Sequence, residues 1–302
     1  MNIMRPPEVL VIGDANPDLL LTGDVIPQFG QVEKLVDSAD LVLGGSAAIA
    51  ACGLARLGVP TALAAVVGDD LFGEFVRREL TAAGVDIRWL RTESGVATAL
   101  SVVLSAGDRA ILTLPGALAT TGPDVVDTDL LRSVGHVHSA SLFLLPRLAP
   151  HLPGIFAAAR SEGATTSLDT NWDPAGQWQG VWELVEHTSV VFPNAAELLA
   201  MTQAADVDSA AKRIVELGCR VALKDGASGG VLWDGTVTRV AAEETEVVDT
   251  TGAGDSFDAG FISGMIEGLS GPLCLERAVR CGSLSTRSVG GTAAQARPAD
   301  LG

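Results

Sequence analysis

The sequence predicts an α/β fold: a mostly parallel sheet in three layers, with helices on both faces and a small β lid. Three observations carry the prediction. Short apolar runs closed by loops alternate with helical stretches along almost all of the 302 residues. Two early segments, at about 15–36 and 96–114, interrupt that alternation with irregular or hairpin-like patterning. No linker and no long internal repeat divides the chain, so residues 1–302 read as one domain.

Val9-Leu10-Val11-Ile12, closed by Gly13-Asp14, has the pattern of a buried strand ending in a loop. Asp14 to about Asp40, with Pro17, Pro27 and several glycines, is expected to be irregular. Gly44-Gly45 opens an Ala-rich helix to Leu57, stopped by Gly58 with Pro60 beyond. Ala62 to Val67 is the next strand. Asp69-Asp70 cap a helix in which Phe72, Phe75, Val76 and Leu80 form one stripe, ending at Gly84. Segments 96–104 and 109–114 flank Ala106-Gly107-Asp108 as a hairpin, and the two early segments are placed to pair as a small sheet over the site.

Alternation then resumes with Val134–His138, a helix near Leu152–Glu162, Thr165–Asp169, Ser189–Phe192, a helix from Ala195, another near Ala210–Leu217, and Arg220–Lys224. Val231–Trp233 and Val237–Val240 form a second hairpin around Asp234-Gly235, and long helices follow from Asp255 and from about Pro272. Ligands of parallel sheets bind at the carboxyl ends of strands. Asp14, Asp169, Asn194 and Lys224 fall at or just past such ends. His136 and His138 are expected to face opposite sides of their strand and to be structural.

A net charge of −17 argues against nucleic acid or an anionic membrane as partner, since phosphate backbones are held by clustered Lys and Arg. The lysines are Lys34, Lys212 and Lys224. Cys52, Cys219, Cys274 and Cys281 show no metal-binding spacing and read as buried reduced thiols. No apolar run reaches membrane-span length, and no signal peptide is visible, so the chain reads as soluble and cytoplasmic.

Chemistry concentrates in Asp249-Thr250-Thr251-Gly252-Ala253-Gly254-Asp255-Ser256-Phe257, a Gly-rich turn feeding a helix with Phe257, Phe261, Ile262, Met265 and Leu269 on one face. Backbone N–H groups at such a start lie at the positive end of the helix dipole and make an anion hole. An aspartate there repels a merely bound anion, but suits a base that takes a proton from an attacking hydroxyl. It equally suits an N-cap. From these residues alone both readings stand.

Four segments, in order along the chain, carry a resemblance to a known family. Asp249–Asp255 resembles the DTxGAGD element of the ribokinase-like (PfkB) carbohydrate kinases, and Gly44-Gly45-Ser46-Ala47-Ala48 resembles that family's paired-glycine element. Pro193-Asn194-Ala195-Ala196-Glu197 is similar to its NxxE motif, and Gly13–Asp18 to its first strand end. The resemblance spans about residues 9–292. It implies an ATP-dependent sugar kinase with Asp255 as base and Gly252, Ala253 and Gly254 as anion hole. Asn194 and Glu197 would organise Mg²⁺ largely through waters, with Lys224, Gly226 and Thr251 near the nucleotide. Asp249, Thr251 and Gly290 match positions where relatives hold a monovalent cation such as K⁺. Asn16, Asp18, Gly44 and Gly45 match positions that hold sugar hydroxyls.

Two departures bear on the acceptor. Ile49 stands where the family usually has Asn, and Asp173 replaces the Arg of a D-x-N-x-R stretch at Asp169–Asp173. Few cations fall in the two early segments, which favours an unphosphorylated acceptor. A P-loop is absent, because no lysine follows a glycine as GK[ST] requires, and no GxGxxG follows the first strand. Two rivals stay open: a nucleoside kinase using Ile49 and Leu142-Phe143-Leu144-Leu145 against a base, and a silent family member serving binding or assembly. The resemblance also makes a homodimer through the lid an expectation.

Overall fold

The computed structural model describes residues 6–106 and 109–301. The strands are β1 (Val9–Ile12), β2 (Asn16–Gly23), β3 (Val36–Gly44), β4 (Thr61–Gly68), β5 (Leu90–Glu93), β6 (Leu100–Ser105), β7 (Arg109–Leu114), β8 (His136–Ala140), β9 (Thr165–Asp169), β10 (Val190–Val191), β11 (Arg220–Lys224), β12 (Gly230–Trp233) and β13 (Val237–Val240). The α-helices are α1 (Ser46–Arg56), α2 (Leu71–Ala83), α3 (Thr128–Leu131), α4 (Leu152–Ser161), α5 (Val181–Val185), α6 (Ala195–Thr202), α7 (Val207–Val215), α8 (Ala253–Ile266) and α9 (Gly271–Ser285).

Nine strands form one sheet in the order β13-β12-β11-β10-β9-β8-β1-β4-β5, parallel except for the antiparallel β11-β12-β13 edge. The order reverses at β1, which pairs with β4 on one side and β8 on the other. Such a reversal opens a crevice outside the strand ends. Both faces of the sheet are covered. Leu10 and Ile12 join one core with α4 to α7, while Val9 and Val11 join a second with α1, α2, α8 and α9. Successive strand residues point to opposite faces, so β1 reads as an unbroken apolar run. The four cysteines are buried and free.

The smaller sheet runs β3-β2-β6-β7, and its centre is the parallel pairing of β2 with β6, which joins the two early segments. The expectation of irregular chain from Asp14 to Asp40 is corrected here: β2 and β3 occupy much of it, and β3 reaches Gly44. Val36-Asp37-Ser38-Ala39-Asp40 lacks apolar alternation because this stretch of β3 is largely solvent-exposed. Of the expected turn at Ala106-Gly107-Asp108, Gly107 and Asp108 lie outside the described residues, while β6 and β7 do pair antiparallel.

The histidine expectation is also corrected. His136 and His138 both hydrogen-bond Ser167 Oγ, at 2.7 and 2.8 Å, so they share a face, as residues i and i+2 of a strand must. Burial pushes their pKa values down to about 3 and about 4, which keeps them neutral and structural. Among the described residues, no helix is long and apolar enough to cross a membrane.

Candidate active site

The crevice floor is built where β1, β8 and β9 end. Asp14, just past β1, accepts hydrogen bonds from the Ser46 and Ala47 N–H groups at the start of α1 and from Ser141 Oγ (3.1, 2.9 and 2.8 Å). It thereby caps α1 from outside the helix, whose own N-cap, Gly45, has no side chain to do so. Burial nevertheless raises the Asp14 pKa. Ser141 and Asn171, past β8 and β9, both adopt left-handed backbone (φ 57° and 52°), and Asn171 links Ser141 to Ser46. Such non-glycine conformations cluster at functional sites.

Asp18, on β2, faces this floor. Asn16 Nδ2 donates to its Oδ1 (2.8 Å), and burial, with the charge of Asp14, lifts its pKa to about 7. Gly44 is required beside it, since a Cβ there would lie 2.2 Å from the Asp18 carboxylate. Ile49 is 3 % exposed and packs against Gly252 and Gly291. Phe143 meets Trp178 edge-on, and Leu142 and Leu145 are in the core.

Gly252, with φ 71°, is the N-cap of α8. Asp255 is the third helical residue and makes no cap, so the structural alternative raised by its sequence position does not hold. The Ala253 N–H makes a long bond to Thr250 O (3.3 Å) inside the turn. Asp255 is buried, and its pKa rises to about 8, chiefly through burial and then the charge of Asp169, against the opposing effect of Lys224. A carboxyl that titrates near neutrality in a cleft is suited to proton transfer.

Lys224, at the end of β11, donates to Asp169 Oδ2 (2.6 Å) and lies 3.6 Å from Asp258 Oδ1. Its side chain also runs beside Gly254, where a Cβ would sit 3.4 Å from Nζ. Lys224 is therefore both the partner of an acid and the neighbour of Gly254. Burial opposes both charges, but each partner favours the ionised form of the other: Asp169 falls below its ordinary pKa and Lys224 rises above its own. Asp258, one turn after Asp255, is buried, and burial, opposed by Lys224 and reinforced by the Asp169 charge, pushes its pKa well above the ordinary carboxylate value. One oxygen each of Asp169, Asp255 and Asp258 lies within 4.8 Å of the others. The ammonium among them means this trio is an ion-pair network and not an open cation site.

Asn194 is the N-cap of α6 and forms a capping box with Glu197: Glu197 N–H donates to Asn194 Oδ1 (3.0 Å) and Asn194 N–H to Glu197 Oε2 (2.9 Å). Burial and the Asp169 charge raise the Glu197 pKa. A cation held through waters would relieve that unfavourable charge without breaking the box, so the donor set fits Mg²⁺ in its hydrated form. Asp173 accepts the N–H groups of Ala175, Gln177 and Trp178 and organises the loop after β9.

The loop before α8 is tied down by Asp249. Its Oδ1 accepts from Thr251 N and Oγ1 and from Arg109 Nη2 (3.0, 2.8 and 2.5 Å), and its Oδ2 from Gly290 N (2.9 Å). Arg109 belongs to β7, so this contact joins the small sheet to the loop; Arg109 also donates to Thr250 Oγ1 (2.8 Å). Beyond the loop, a cavity of about 220 Å³ is lined by Lys224, Gly226, Thr250, Gly254, Phe257 and Ser283, among others. A second, of about 290 Å³, lies under the small sheet against Asp249–Thr251. A third, of about 380 Å³, lies at α9 beside the first and touches none of Asp14, Asp18, Asp169, Asp255 and Asp258.

Sequence reasoning missed Asp258, Ser46, Ser141 and the α9 residues of the first cavity. Asp258 had a signal, its i+3 spacing from Asp255. The others had none, because their partners are distant in sequence.

A carboxyl with a raised pKa beside a glycine-rich helix start suits transfer of an anionic group to a hydroxyl, which is the work of a kinase. The chain belongs to the pfkB family of carbohydrate kinases, whose model matches residues 6–297. It is 32% identical over 295 residues to an ATP-dependent ribose-1-phosphate kinase of Halopiger xanaduensis, covering 95% of this chain and 94% of that one. Its fold superposes on the Arabidopsis thaliana ribokinase solved with ribose and ATP at TM-score 0.85, with 25% identity and 99% and 98% of the two chains covered. An E. coli ribokinase II solved with ATP and Mg²⁺ also gives 0.85, at 25% identity, covering 98% and 97%.

Proposed function

We propose that this carbohydrate kinase transfers the γ-phosphoryl group of ATP to a hydroxymethyl group of an unphosphorylated sugar or sugar derivative, with Asp255 as general base. The observation that carries the reading is Asp255 itself, buried at the third position of α8 with a pKa near 8 while Lys224 lies alongside Gly254. ATP occupies the cavity between Gly226 and α9, its phosphates reaching the Gly252–Gly254 turn. Asn194 and Glu197 would hold Mg²⁺ through waters, and the ion would supply charge neutralisation of the phosphates.

The acceptor lies among Asn16, Asp18, Gly44 and Gly45. Its hydroxyl gives its proton to Asp255 Oδ as the oxygen attacks in line, while the α8 turn stabilises the moving charge. An unphosphorylated acceptor is supported by the state of the two basic side chains nearest the cleft: Lys224 is bonded to Asp169, and Arg109 to Asp249. The relative that acts on ribose 1-phosphate makes this the point to test. A monovalent cation near Asp249, Thr251 and Gly290 belongs to the same proposal, and main-chain carbonyls would be its ligands, since protein donors already hold the Asp249 carboxylate.

The small sheet serves as the lid that excludes water during transfer. Its outer face carries Leu19, Leu21, Leu41, Leu112 and Leu114, and a second copy pairing there would cover these side chains. The test of the kinase reading is ADP release with Mg²⁺-ATP across free sugars, sugar phosphates and nucleosides, with Asp255→Asn alongside. Turnover on a free sugar that the variant abolishes supports it; turnover confined to sugar phosphates or nucleosides removes the acceptor assignment.

A further inference from the structure

The cavity of about 290 Å³ begins at Leu20 and Val103, one same-face step along the small sheet from Asp18 and Ser101. On β2, Asp18, Leu20 and Thr22 point to one face, because alternate strand residues do. Their partners on β6 are Ser101, Val103 and Ser105, in the same register. The face therefore changes character along its length. At Asp18 and Ser101 it suits a polyol; at Leu20 and Val103 it is aliphatic; at Thr22 and Ser105 it ends in hydroxyls. With a rise of about 3.3 Å per residue, the row extends roughly 13 Å from Asp18 to Thr22. That is longer than one sugar ring.

On the opposite wall, beside Asp249, Thr250 and Thr251, Val248 and Val289 face the cavity while 54% and 39% exposed, apolar surface that the described residues leave open. Arg109 also lines the cavity, but its guanidinium is bonded to Asp249, so a paired charge stands there in place of a free one. Among the described residues, the lining includes no aromatic side chain on which a base could stack. At about 30 Å³ per water-sized group, the space holds on the order of ten non-hydrogen atoms.

We infer that the acceptor is a sugar conjugate: a ring held at Asp18, carrying an uncharged, mainly aliphatic substituent that fills this cavity. This rests on the reading of the Asp18 face as the acceptor site. It names the substrate class more narrowly, as an alkyl glycoside or similarly substituted sugar in preference to the free sugar or its 1-phosphate.

Titration calorimetry in the presence of Mg²⁺-ADP tests it without requiring turnover. The probes are free pentoses and hexoses, their butyl glycosides and their 1-phosphates. Two buried methylenes are worth about tenfold in affinity, so the butyl glycoside of the preferred sugar is expected to bind at least about tenfold tighter than the sugar. Val248→Trp, which fills the cavity from an exposed position, is expected to remove that gain and leave free-sugar binding unchanged. Val103→Phe, filling it from the other wall, should do the same. Equal binding of sugar and glycoside, or a gain that survives both variants, overturns the inference. So does tighter binding of the 1-phosphate that Arg109→Ala removes. ADP release in the same series separates this from the kinase reading: a binding order as expected without turnover on any probe supports the cavity assignment and sinks the kinase assignment.

Discussion

The wall of the cleft formed by the large sheet keeps its charged groups buried, whereas the wall formed by the small sheet is exposed along all of β7. On the first wall, Asp14, Asp169, Asp255 and Asp258 are each at most 7 % exposed, and their protonation is set by neighbours fixed in place. On the second, Arg109 reaches across to a loop, and Ile111, Leu112 and Leu114 are more than half exposed. Buried polar networks are rigid because each broken contact leaves an unpaired group in low dielectric. A thin sheet with one solvated face opens at smaller expense. Under the proposed kinase reading the difference would separate the labour: one wall would hold the chemistry, and the other would close over it.

The rigid wall is the place to look for large effects. Asp255→Asn keeps the shape and removes the base, so kcat should fall by about 10²–10⁴ with nucleotide affinity largely unchanged; near-normal turnover would show that this wall does not carry the proton transfer. Lys224→Met leaves Asp169 buried without its cation and should destabilise the fold by about 3–5 kcal/mol in urea unfolding. A loss under about 1 kcal/mol would mean the network is not held as tightly as its geometry indicates.

Titration sharpens the same contrast. With the Asp255 pKa at about 8, kcat/KM should climb as pH rises and level off above that value. A profile that is already flat from pH 6 would remove Asp255 as the titrating base. Stability should move the other way. Between its ordinary value of 3.8 and about 8, the folded chain holds a proton on Asp255 that the unfolded chain releases, so stability from this group falls as pH rises. Asp255→Asn should therefore melt higher than the parent chain, by a margin that widens from pH 5 to pH 9.

The smallest effect belongs to the open wall. Arg109→Ala removes an ion pair in which one side chain is 33% exposed, so its stability change should stay within about 1 kcal/mol. Acceptor KM should rise several-fold, because the small sheet loses its tie to the Asp249 loop, while the KM for ATP stays constant. An equal rise in both would place Arg109 in the anion hole instead of the closure.

Much of this was legible in the residues. The Val9–Ile12, Thr165–Asp169 and Arg220–Lys224 strands were readable to the residue, since continuous apolar runs closed by polar residues define buried strands. β2 and β3 were not, because a sheet with one solvated face tolerates the prolines, glycines and acids that signal loops elsewhere. The turn before α8 was evident from its glycines and the helical stripe after it. Whether its aspartate was a cap or a base was not, since both use the same residue at nearly the same position.

By itself, then, the sequence determined the layered sheet, the glycine-rich turn before α8 and the strand ends that carry Asp14, Asp169, Asn194 and Lys224, because each is written in periodicity and local chain stiffness. Tertiary structure decided which of these groups are charged. Lys224 meets Asp169 across 55 residues, and Arg109 meets Asp249 across 140. A proton's free energy depends on burial and on the charges a few ångströms away, and neither is a property of neighbouring positions in the chain.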